Sequence, residues 1–402
     1  MLGFGKKILD LDAPLNDGAA LRERLHAALR KVPCAPIADD IVEAGIVAGL
    51  RTDKEGLTIE LLLPTPALKG RRALEQSVLD TARRIVDVNV RLEVTSKVRM
   101  SASSPDGKQD LPGIANVILV ASGKGGVGKS TIASNLAVAL AKLGCKVGLL
   151  DADIYGPSAP VMFGIADGTR PGTVPGSDAA KPKIAPLERY GVRLMSIGFL
   201  VDTSTPMVWR GPMIASAAMQ LFKDVHWGEL DYLIVDMPPG TGDVQLTISQ
   251  QVIVAGAVVC STPQDVALAD VIRAKAMFDK VSIPILGVIE NMSYFVCDQC
   301  SKRHEIFTHG GARQAADRMR VPFLGEIPLE HSVVYGGDAG KPVVLGEPDS
   351  QSAAAFIALA EEVATAVAKV AHDMPAALAG PTISITGGNI GGAKKKGGLP
   401  IL

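Results

Sequence analysis

The feature that most constrains this 402-residue chain is a glycine-rich stretch, residues 123–130, with the sequence Gly-Lys-Gly-Gly-Val-Gly-Lys-Ser. It fits the pattern G-x-x-x-x-G-K-S/T, in which glycines let backbone N–H groups converge on phosphate oxygens and the lysine adds a positive charge. An apolar run, Asn116 to Ala121, precedes it, and a run with helical apolar spacing, Thr131 to Leu143, follows it. Strand, loop and helix in this order predict a nucleotide phosphate cradle. The candidate nucleotide-binding residues here are Gly123, Lys124, Gly125, Gly126, Val127, Gly128, Lys129, Ser130 and Thr131.

From Asn116 onward, short β-rich runs alternate with helical patterns. This alternation predicts an α/β fold with a doubly wound, mostly parallel sheet. An alanine-rich amphipathic run, Ala353 to Val370, is expected to form a helix that closes the domain. The predicted strands after the cradle are Lys146 to Leu150, Tyr232 to Val235, Val258 to Cys260 and Ile285 to Ile289.

A smaller α/β (α+β) domain is predicted before the cradle, over residues 14–97. Its predicted helices are Leu21 to Leu29 and Leu74 to Ile85, and its predicted strands are Leu57 to Leu63 and Val88 to Val94. Residues 98–115 contain a run of Ser, Pro and Gly and are expected to form an exposed linker. The nucleotide-binding domain would then span residues 116–372, followed by a flexible Gly- and Lys-rich tail, residues 373–402.

The overall composition excludes several classes of protein. Lys plus Arg number 41 against 42 for Asp plus Glu, so the net charge near −1 provides no bulk attraction to nucleic acid or to an anionic membrane. Five cysteines are an odd number, and a chain of this length does not need disulfides to fold. No signal peptide and no apolar run of about 18 residues is present. We therefore expect a soluble cytoplasmic protein.

Three aspartates follow predicted strands and are candidates for the chemistry at the phosphates. Asp236 ends an apolar strand and has the position of a magnesium ligand, together with the Ser130 hydroxyl. Asp153 is the candidate for positioning the attacking water, whereas Asp151 is either part of the site or a strand-end carboxylate. The run Pro-Pro-Gly-Thr-Gly at 238–242 suits a loop that changes shape with the γ-phosphate.

These motifs together resemble the Mrp/ApbC family of iron–sulfur carrier ATPases, relatives of MinD, ParA and the nitrogenase iron protein. The two-lysine form of the glycine-rich loop carries the resemblance, which extends over residues 116–370. The other matching motifs are Asp-Ala-Asp-Ile-Tyr-Gly-Pro-Ser at 151–158, Trp-Arg-Gly-Pro at 209–212, Asp-Met-Pro-Pro-Gly-Thr-Gly-Asp at 236–243 and Glu-Asn-Met-Ser at 290–293.

The resemblance implies roles for two further residues. Lys124 would reach across a homodimer to the partner's nucleotide and neutralise charge in the transition state, so that dimerisation is coupled to ATP. Asn291 would contact the adenine base. The catalytic candidates are thus Lys124, Lys129, Asp153 and Asp236.

The N-terminal domain resembles, through Asp-Ile-Val-Glu-Ala-Gly-Ile-Val at 40–47, a small domain found in iron–sulfur assembly factors. Such domains frequently have a cysteine after a Thr-Pro pair, but here Ala67 and Leu68 follow Thr65 and Pro66. Cys34 does not occupy that place, and with Cys145 and Cys260 it is interpreted as a small structural apolar residue.

Cys297 and Cys300 form a Cys-x-x-Cys pair in a predicted exposed loop. Two thiolates can ligate one metal centre, but a cubane cluster or a structural zinc normally needs four ligands. A homodimer would supply four, and the resemblance implies a 4Fe–4S cluster bridging two chains in this way. Intrachain zinc with His304 and His309, a redox pair, and zinc bridging a dimer remain open alternatives.

The sequence therefore predicts an ATP-hydrolysing homodimer that receives an iron–sulfur cluster from scaffold proteins and passes it to apo-proteins. Its cofactors would be ATP, Mg²⁺ and the 4Fe–4S cluster. The alternative is a MinD/ParA-like positioning ATPase acting on membrane or DNA, with structural zinc at the cysteine pair. Glu361 and Glu362 in the C-terminal helix and the balanced net charge argue against a membrane or nucleic acid partner.

Overall fold

The computed structural model describes residues 16–53, 55–100, 111–154, 156–178, 180–200 and 211–374. The N-terminal elements up to residue 96 are α1 (Asn16–Leu29), β1 (Pro33–Cys34), β2 (Ala38–Asp40), β3 (Val47–Asp53), β4 (Gly56–Leu63), α2 (Arg71–Arg83) and β5 (Val90–Ser96).

Strand β4 is the centre of a three-stranded N-terminal sheet. It pairs with β3 in antiparallel and with β5 in parallel orientation. The alternate residues Leu57, Ile59, Leu61 and Leu63 are fully buried, as expected for side chains that point to one face of a strand. They share a hydrophobic core with apolar residues of both helices, including Leu25, and this core is separate from that of the larger sheet.

The remaining elements belong to the larger part of the chain, and a 3₁₀ turn at Ile197–Phe199 follows its strand β9. The strands are β6 (Ile114–Ala121), β7 (Val147–Asp151), β8 (Leu187–Arg189), β9 (Val192–Ser196), β10 (Leu230–Asp236), β11 (Gly256–Ser261), β12 (Ile285–Glu290), β13 (Phe295–Val296), β14 (Arg303–His304) and β15 (Phe323–Glu326). The helices are α3 (Lys129–Lys142), α4 (Ala159–Met162), α5 (Gly211–Asp224), α6 (Asp243–Gln251), α7 (Asp265–Lys280), α8 (Gly311–Met319), α9 (His331–Asp338), α10 (Val343–Gly346) and α11 (Gln351–Asp373).

Eight of these strands form one sheet in the order β15-β12-β11-β6-β10-β7-β9-β8. All neighbours are parallel except β8, which pairs with β9 in antiparallel orientation. The chain leaves β6 at the centre and builds outward on both sides, which confirms the predicted doubly wound α/β fold. The carboxyl ends of β6, β7, β10 and β12 therefore lie along one edge, where ligands bind in such sheets.

Helix α3, which follows the glycine-rich loop, is apolar over most of its circumference. Helix α11 packs against it and buries part of this apolar surface. Its buried residues include Ile132, Leu136 and Leu140. The Ser350 side chain caps α11 by accepting a hydrogen bond from the Ala353 N–H at 3.1 Å. Helix α3 is thereby supported by a long helix with a buried face.

The loop that follows β4 joins the N-terminal part to the larger sheet. The Tyr232 hydroxyl donates to Thr65 Oγ1 at 2.9 Å, and the Lys69 N–H donates to Thr365 Oγ1 at 2.9 Å. Ala67 is buried in the core of the larger sheet. The Thr-Pro-Ala-Leu segment at 65–68 is thus an internal packing contact.

The predicted elements are present, and most are one to five residues longer than predicted at one or both ends. Of the strands in the two larger sheets, β3, β8, β9 and β15 were missed; β9 carries Arg193, and β15 is four residues long and contains Gly325. The segment Pro160 to Pro186, for which the sequence predicts no more than a loop or lid, contains the end of α4 and turns joined by isolated bridges.

Several predicted features lie outside the described residues. They are most of the linker (101–110), the Trp-Arg pair at 209–210 and the tail from residue 375 onward. Within the described ranges, no helix is both long enough and apolar enough to cross a membrane.

Candidate functional site

The glycine-rich loop connects the central strand β6 to helix α3. Gly126 and Gly128 adopt φ values of 80° and 81°, a backbone region that residues other than glycine rarely adopt. A Cβ on Gly128 would also lie 2.2 Å from the Asn291 Nδ2 atom. The Ser122 hydroxyl donates to the Lys124 carbonyl at 2.8 Å and holds the start of the loop. The backbone therefore has the tight turn that a phosphate cradle needs.

Lys129 is the charged centre of the site. Its side chain is only 6% exposed, and its ammonium forms an ion pair with Asp236 and lies 3.8 Å from Asp153 Oδ2. The Ser130 hydroxyl lies 3.3 Å from the same nitrogen. The structure thus brings together the residues predicted to contact phosphate, magnesium and the attacking water. They are Lys129, Ser130, Asp153 and Asp236, and they follow the carboxyl ends of three neighbouring strands.

Asp151 has a different environment. It is fully buried and accepts hydrogen bonds from the backbone N–H groups of Asp153 and Ala159 and from the Ser196 hydroxyl, each at 3.1 Å. Burial, with the nearby charge of Asp236, raises the pKa of Asp151 to about 7. These bonds hold the loop after β7, so the structure favours an anchoring role for Asp151 over direct chemistry.

The loop after β10 is held by a residue that sequence reasoning missed. Gln245 Nε2 donates to the carbonyls of Pro238 and Pro239 at 3.1 and 2.7 Å. The Gly240 N–H donates to the Ser122 carbonyl at 3.0 Å, which ties this loop to the start of the phosphate loop. No sequence signal marked Gln245, because an amide on a helix is common and its partners are backbone carbonyls.

Asn291 lies directly against the phosphate loop. Its side-chain Nδ2 donates to the Val127 carbonyl at 2.8 Å. With Thr131, Met292 and Pro328 it lines a pocket of about 480 Å³ beside the loop. This volume suits a small organic group such as a nucleoside. The predicted contact of Asn291 with adenine stays a prediction, as does that of Lys124 with a partner's nucleotide.

The cysteine pair lies in a two-stranded hairpin formed by β13 and β14. The turn is closed by hydrogen bonds from the Ser301 N–H to the Cys297 carbonyl at 2.8 Å and from the Cys297 N–H to the Lys302 carbonyl at 3.0 Å. Ser301, which follows the second cysteine, has a φ of 56°. Cys300 is exposed and Cys297 is half-buried. The predicted exposed loop is therefore an ordered turn.

The backbone of this turn favours a thiolate. Hydrogen bonds from the Cys300 and Gln299 N–H groups lower the pKa of the Cys297 thiol, whereas the charge of Asp298 raises it. Asp298 therefore opposes the thiolate, and the lowering comes from the turn itself. In contrast, burial raises the pKa of Cys34 to about 11 and those of Cys145 and Cys260 to about 12. All three thiols are buried, as their interpretation as small apolar residues predicts.

The structure does not assemble an intrachain zinc site from the cysteines and His304 and His309. The His304 ring packs against Phe295, with ring centroids 6.4 Å apart. Among the described residues, one group of potential metal ligands is close-set, Glu290 with His309 and Glu326, and it contains neither cysteine. The Arg303 guanidinium is 3.1 Å from both His309 Nδ1 and Glu326 Oε2. Two of the three potential ligands therefore already contact a side-chain cation.

Comparison with known proteins places the chain in a family. A family model named ParA and described as NUBPL iron-transfer P-loop NTPase matches residues 113–364, more than half of the chain. The iron–sulfur cluster carrier protein of Synechocystis is 40% identical over 346 residues, which cover 85% of this chain and 97% of that protein. That alignment is longer than the stretch from residue 113 to the end of the chain, so it includes part of the N-terminal domain.

Further relatives agree with this assignment. The iron–sulfur cluster carrier protein of Deinococcus radiodurans is 44% identical over 345 residues, or 86% of this chain and 95% of that protein. A nucleotide-binding protein from Archaeoglobus fulgidus, solved with ADP and with cobalt, is 38% identical with a TM-score of 0.53. It covers 61% of this chain and 93% of its own length. The predicted resemblance to iron–sulfur carrier ATPases is confirmed, and the chain belongs to the NUBPL iron-transfer P-loop NTPases, the family of the iron–sulfur cluster carrier proteins.

Proposed function

We propose that this protein is an ATP-dependent cluster carrier. A 4Fe–4S cluster is its cargo, held by Cys297 and Cys300 of two copies and passed from scaffold proteins to apo-proteins. ATP hydrolysis gates the handling of the cluster. The free thiols of all five cysteines suit a reducing compartment, and we assign the protein to the cytoplasm.

The observation that carries this proposal is the turn at the cysteine pair. Two backbone N–H groups converge on Cys297, which favours the thiolate that binds metal. Cys300 is exposed on the same turn, so both sulfurs are accessible from outside the chain. Two thiolates leave half of a four-ligand set to be filled, and a second copy related by twofold symmetry supplies identical ligands.

The nucleotide would bind on the glycine-rich loop. Lys129 would hold the phosphates, and Asp153 would position the attacking water. A magnesium ion fits the oxygen donors of Ser130 and Asp236, which both lie in contact with the Lys129 ammonium, and when bound it would neutralise phosphate charge. Asn291 and the adjoining pocket would take the base.

Lys124 would complete the site of a second copy. It is half-buried at the start of the loop, and hydrolysis would depend on the charge it brings to the partner's γ-phosphate. Both the cysteine pair and the phosphate site would then be complete only in the homodimer.

Anaerobic reconstitution with iron and sulfide tests the proposal. We expect a broad sulfur-to-iron charge-transfer absorbance and about four iron ions per two chains. Cys297→Ala and Cys300→Ala should each abolish it, because either substitution, present in both copies, leaves only two of the four shared thiolates. Transfer is measured as activation of an apo-protein that needs a 4Fe–4S cluster.

The matched control is Cys34→Ala, which removes a buried thiol from the N-terminal core and should leave the absorbance unchanged. Absorbance that survives in the Cys297→Ala/Cys300→Ala double variant would contradict the proposal. So would tight zinc binding with no cluster formed.

A further inference from the structure

The cysteine hairpin is part of a longer segment, residues 293–310, that leaves the sheet after β12 and returns at helix α8. We refer to these residues as the cysteine segment. At its outgoing end, the Ser293 N–H donates to the Ile327 carbonyl at 3.0 Å. The two ends of the segment are close together, and one side chain contacts both of them.

That side chain is Glu290, the last residue of β12. Its Oε1 accepts hydrogen bonds from the Ser293 hydroxyl at 2.6 Å and from the Gly310 N–H at 3.2 Å. Its Oε2 accepts one from the Ala312 N–H at 2.8 Å. Ser293 begins the cysteine segment, whereas Gly310 and Ala312 lie where it ends. Glu290 therefore forms hydrogen bonds to both ends of the segment and holds them at the edge of the sheet.

A carboxylate at this place is costly unless it is well compensated. Glu290 is fully buried, and removing a charged group from water costs several kcal/mol, on the order of the stability of many domains. Three hydrogen-bond donors and the positive end of helix α8 offset that cost. A neutral apolar residue would fill the space more cheaply, so the carboxylate is explained by the groups it joins.

The next residue joins the same place to the phosphate loop. Asn291 Nδ2 donates to the Val127 carbonyl at 2.8 Å, and its N–H donates to the Ser261 carbonyl at 2.8 Å. The Cys260 thiol also contacts the Val127 carbonyl, at 3.4 Å. Two adjacent residues thus bond to the two sites: Asn291 to the phosphate loop and Glu290 to the cysteine segment.

We propose that Glu290 is a positioning residue that couples the phosphate loop to the cysteine pair. When nucleotide alters the contact between Asn291 and Val127, Glu290 transmits the displacement of β12's end to both ends of the cysteine segment, and the metal affinity of Cys297 and Cys300 changes. The inference rests on the proposed function only in taking these cysteines as metal ligands.

The test measures coupling between two ligands of the full-length protein. Co²⁺ is titrated with and without saturating ADP, and its thiolate charge-transfer absorbance reports binding at the cysteines alone. In the wild-type protein we expect ADP to change the apparent Kd for Co²⁺ by about 5-fold or more, within the usual range of allosteric coupling. Reciprocity requires Co²⁺ to change the Kd for ADP by the same factor.

Glu290→Gln places an amide NH₂ where one donor now bonds, and it should reduce the coupling to less than about 2-fold. The Kd for each ligand alone should stay within about 3-fold of wild type, because neither site loses a ligand. Ser293→Ala removes only the outgoing bond and should lower the coupling partially. Glu305→Gln changes an exposed carboxylate in the same segment and is the matched control, with wild-type coupling expected.

Folded Glu290→Gln and Ser293→Ala proteins that keep wild-type coupling would overturn the proposal. Loss of Co²⁺ binding by Ser293→Ala in the absence of ADP would also overturn it, since that marks a merely structural role. The proposed function is tested separately by cluster reconstitution. If the wild-type protein forms no cluster but Glu290→Gln loses the coupling, the positioning role is supported and the proposed function fails. If the wild-type protein transfers a cluster but Glu290→Gln keeps the coupling, only the positioning role is refuted.

Discussion

The phosphate loop and the cysteine hairpin both follow carboxyl ends of strands in the large sheet, but their surroundings are opposite in character. The loop is enclosed: Lys129 is 6% exposed, its carboxylate neighbours come from two adjacent strands, and helix α11 packs behind helix α3. The hairpin is open: its strands are two residues long, and Cys300 is exposed. One chain can preorganise a charged pocket inside its own core, whereas a transferable cargo requires ligands that remain accessible.

The largest expected effect is on the enclosed site. Lys129→Ala removes the cation that pairs with Asp236 and that is proposed to hold the phosphates, and we expect the ATPase kcat to fall by at least about 10³-fold. Steady-state phosphate release measures this. Lys146→Ala, which removes an exposed lysine paired with Glu229, is the control and should retain wild-type turnover. Comparable loss in both variants would mean that the Lys129 effect is not specific to the site.

Lys124→Ala tests whether the enclosed site is also incomplete in one chain. A charge supplied in trans acts on the transition state, so kcat should fall by about 10²- to 10³-fold while the Kd for ATP changes little. A role in trans also requires the wild-type turnover per chain to rise with protein concentration, because only dimers would then hydrolyse ATP. A turnover per chain that is independent of concentration, down to concentrations at which the protein is monomeric by sedimentation, would contradict the role in trans.

The open site should differ from the buried thiols in its reactivity. Because backbone N–H groups lower the pKa of Cys297, its alkylation by iodoacetamide should reach half its maximal rate below the ordinary thiol pKa of 9. Cys34, Cys145 and Cys260 are buried with raised pKa values and should react at least about 10-fold more slowly at pH 8 in the folded protein. Peptide mass spectrometry after timed alkylation measures this, and equal rates for all cysteines would remove the distinction.

The smallest expected effect concerns the anchor of the enclosed site. The pKa of Asp151 is about 7 in the folded protein against an ordinary value of 3.8, so the folded state binds more protons between these values. Stability from this group is therefore present below the ordinary pKa and falls as pH rises toward 7. Asp151→Asn should flatten that decline, giving a difference of a few degrees in Tm between pH 5 and pH 7.5, measured by thermal unfolding. Asp167→Asn changes an exposed carboxylate and should leave the slope of Tm against pH unchanged. If Asp151→Asn also kept the wild-type slope, groups other than Asp151 would dominate the pH dependence.

The two regions also differ in how far the sequence revealed them. Residues 123–130 are consecutive and each contributes a known chemistry, so the cradle was found with its strand and helix. The aspartates followed from the rule that parallel strands end on one edge. Gln245 was missed, and Glu290 was quoted within the motif at 290–293 without a role. The importance of both comes from partners such as Pro239 and Gly310, which are distant in sequence or contribute only backbone atoms.

Local signals were also weakest where tertiary packing decides the structure. Strand β15 is four residues long with a glycine inside it, and pairing with β12 is what makes it a strand. The lowered pKa of Cys297 depends on a turn whose backbone N–H groups point at the sulfur, which no spacing of cysteines specifies. Arg303 next to His309 and Glu326 likewise became visible only when the hairpin was folded.

The cysteine pair is proposed to be half of a site shared by two copies. Sedimentation equilibrium of anaerobically reconstituted protein tests it most directly. We predict a species of twice the chain mass of 41.9 kDa with one cluster per two chains, and a shift toward monomer in Cys300→Ala. A cluster-loaded monomer, or a dimer with one full cluster on each chain, would contradict the claim.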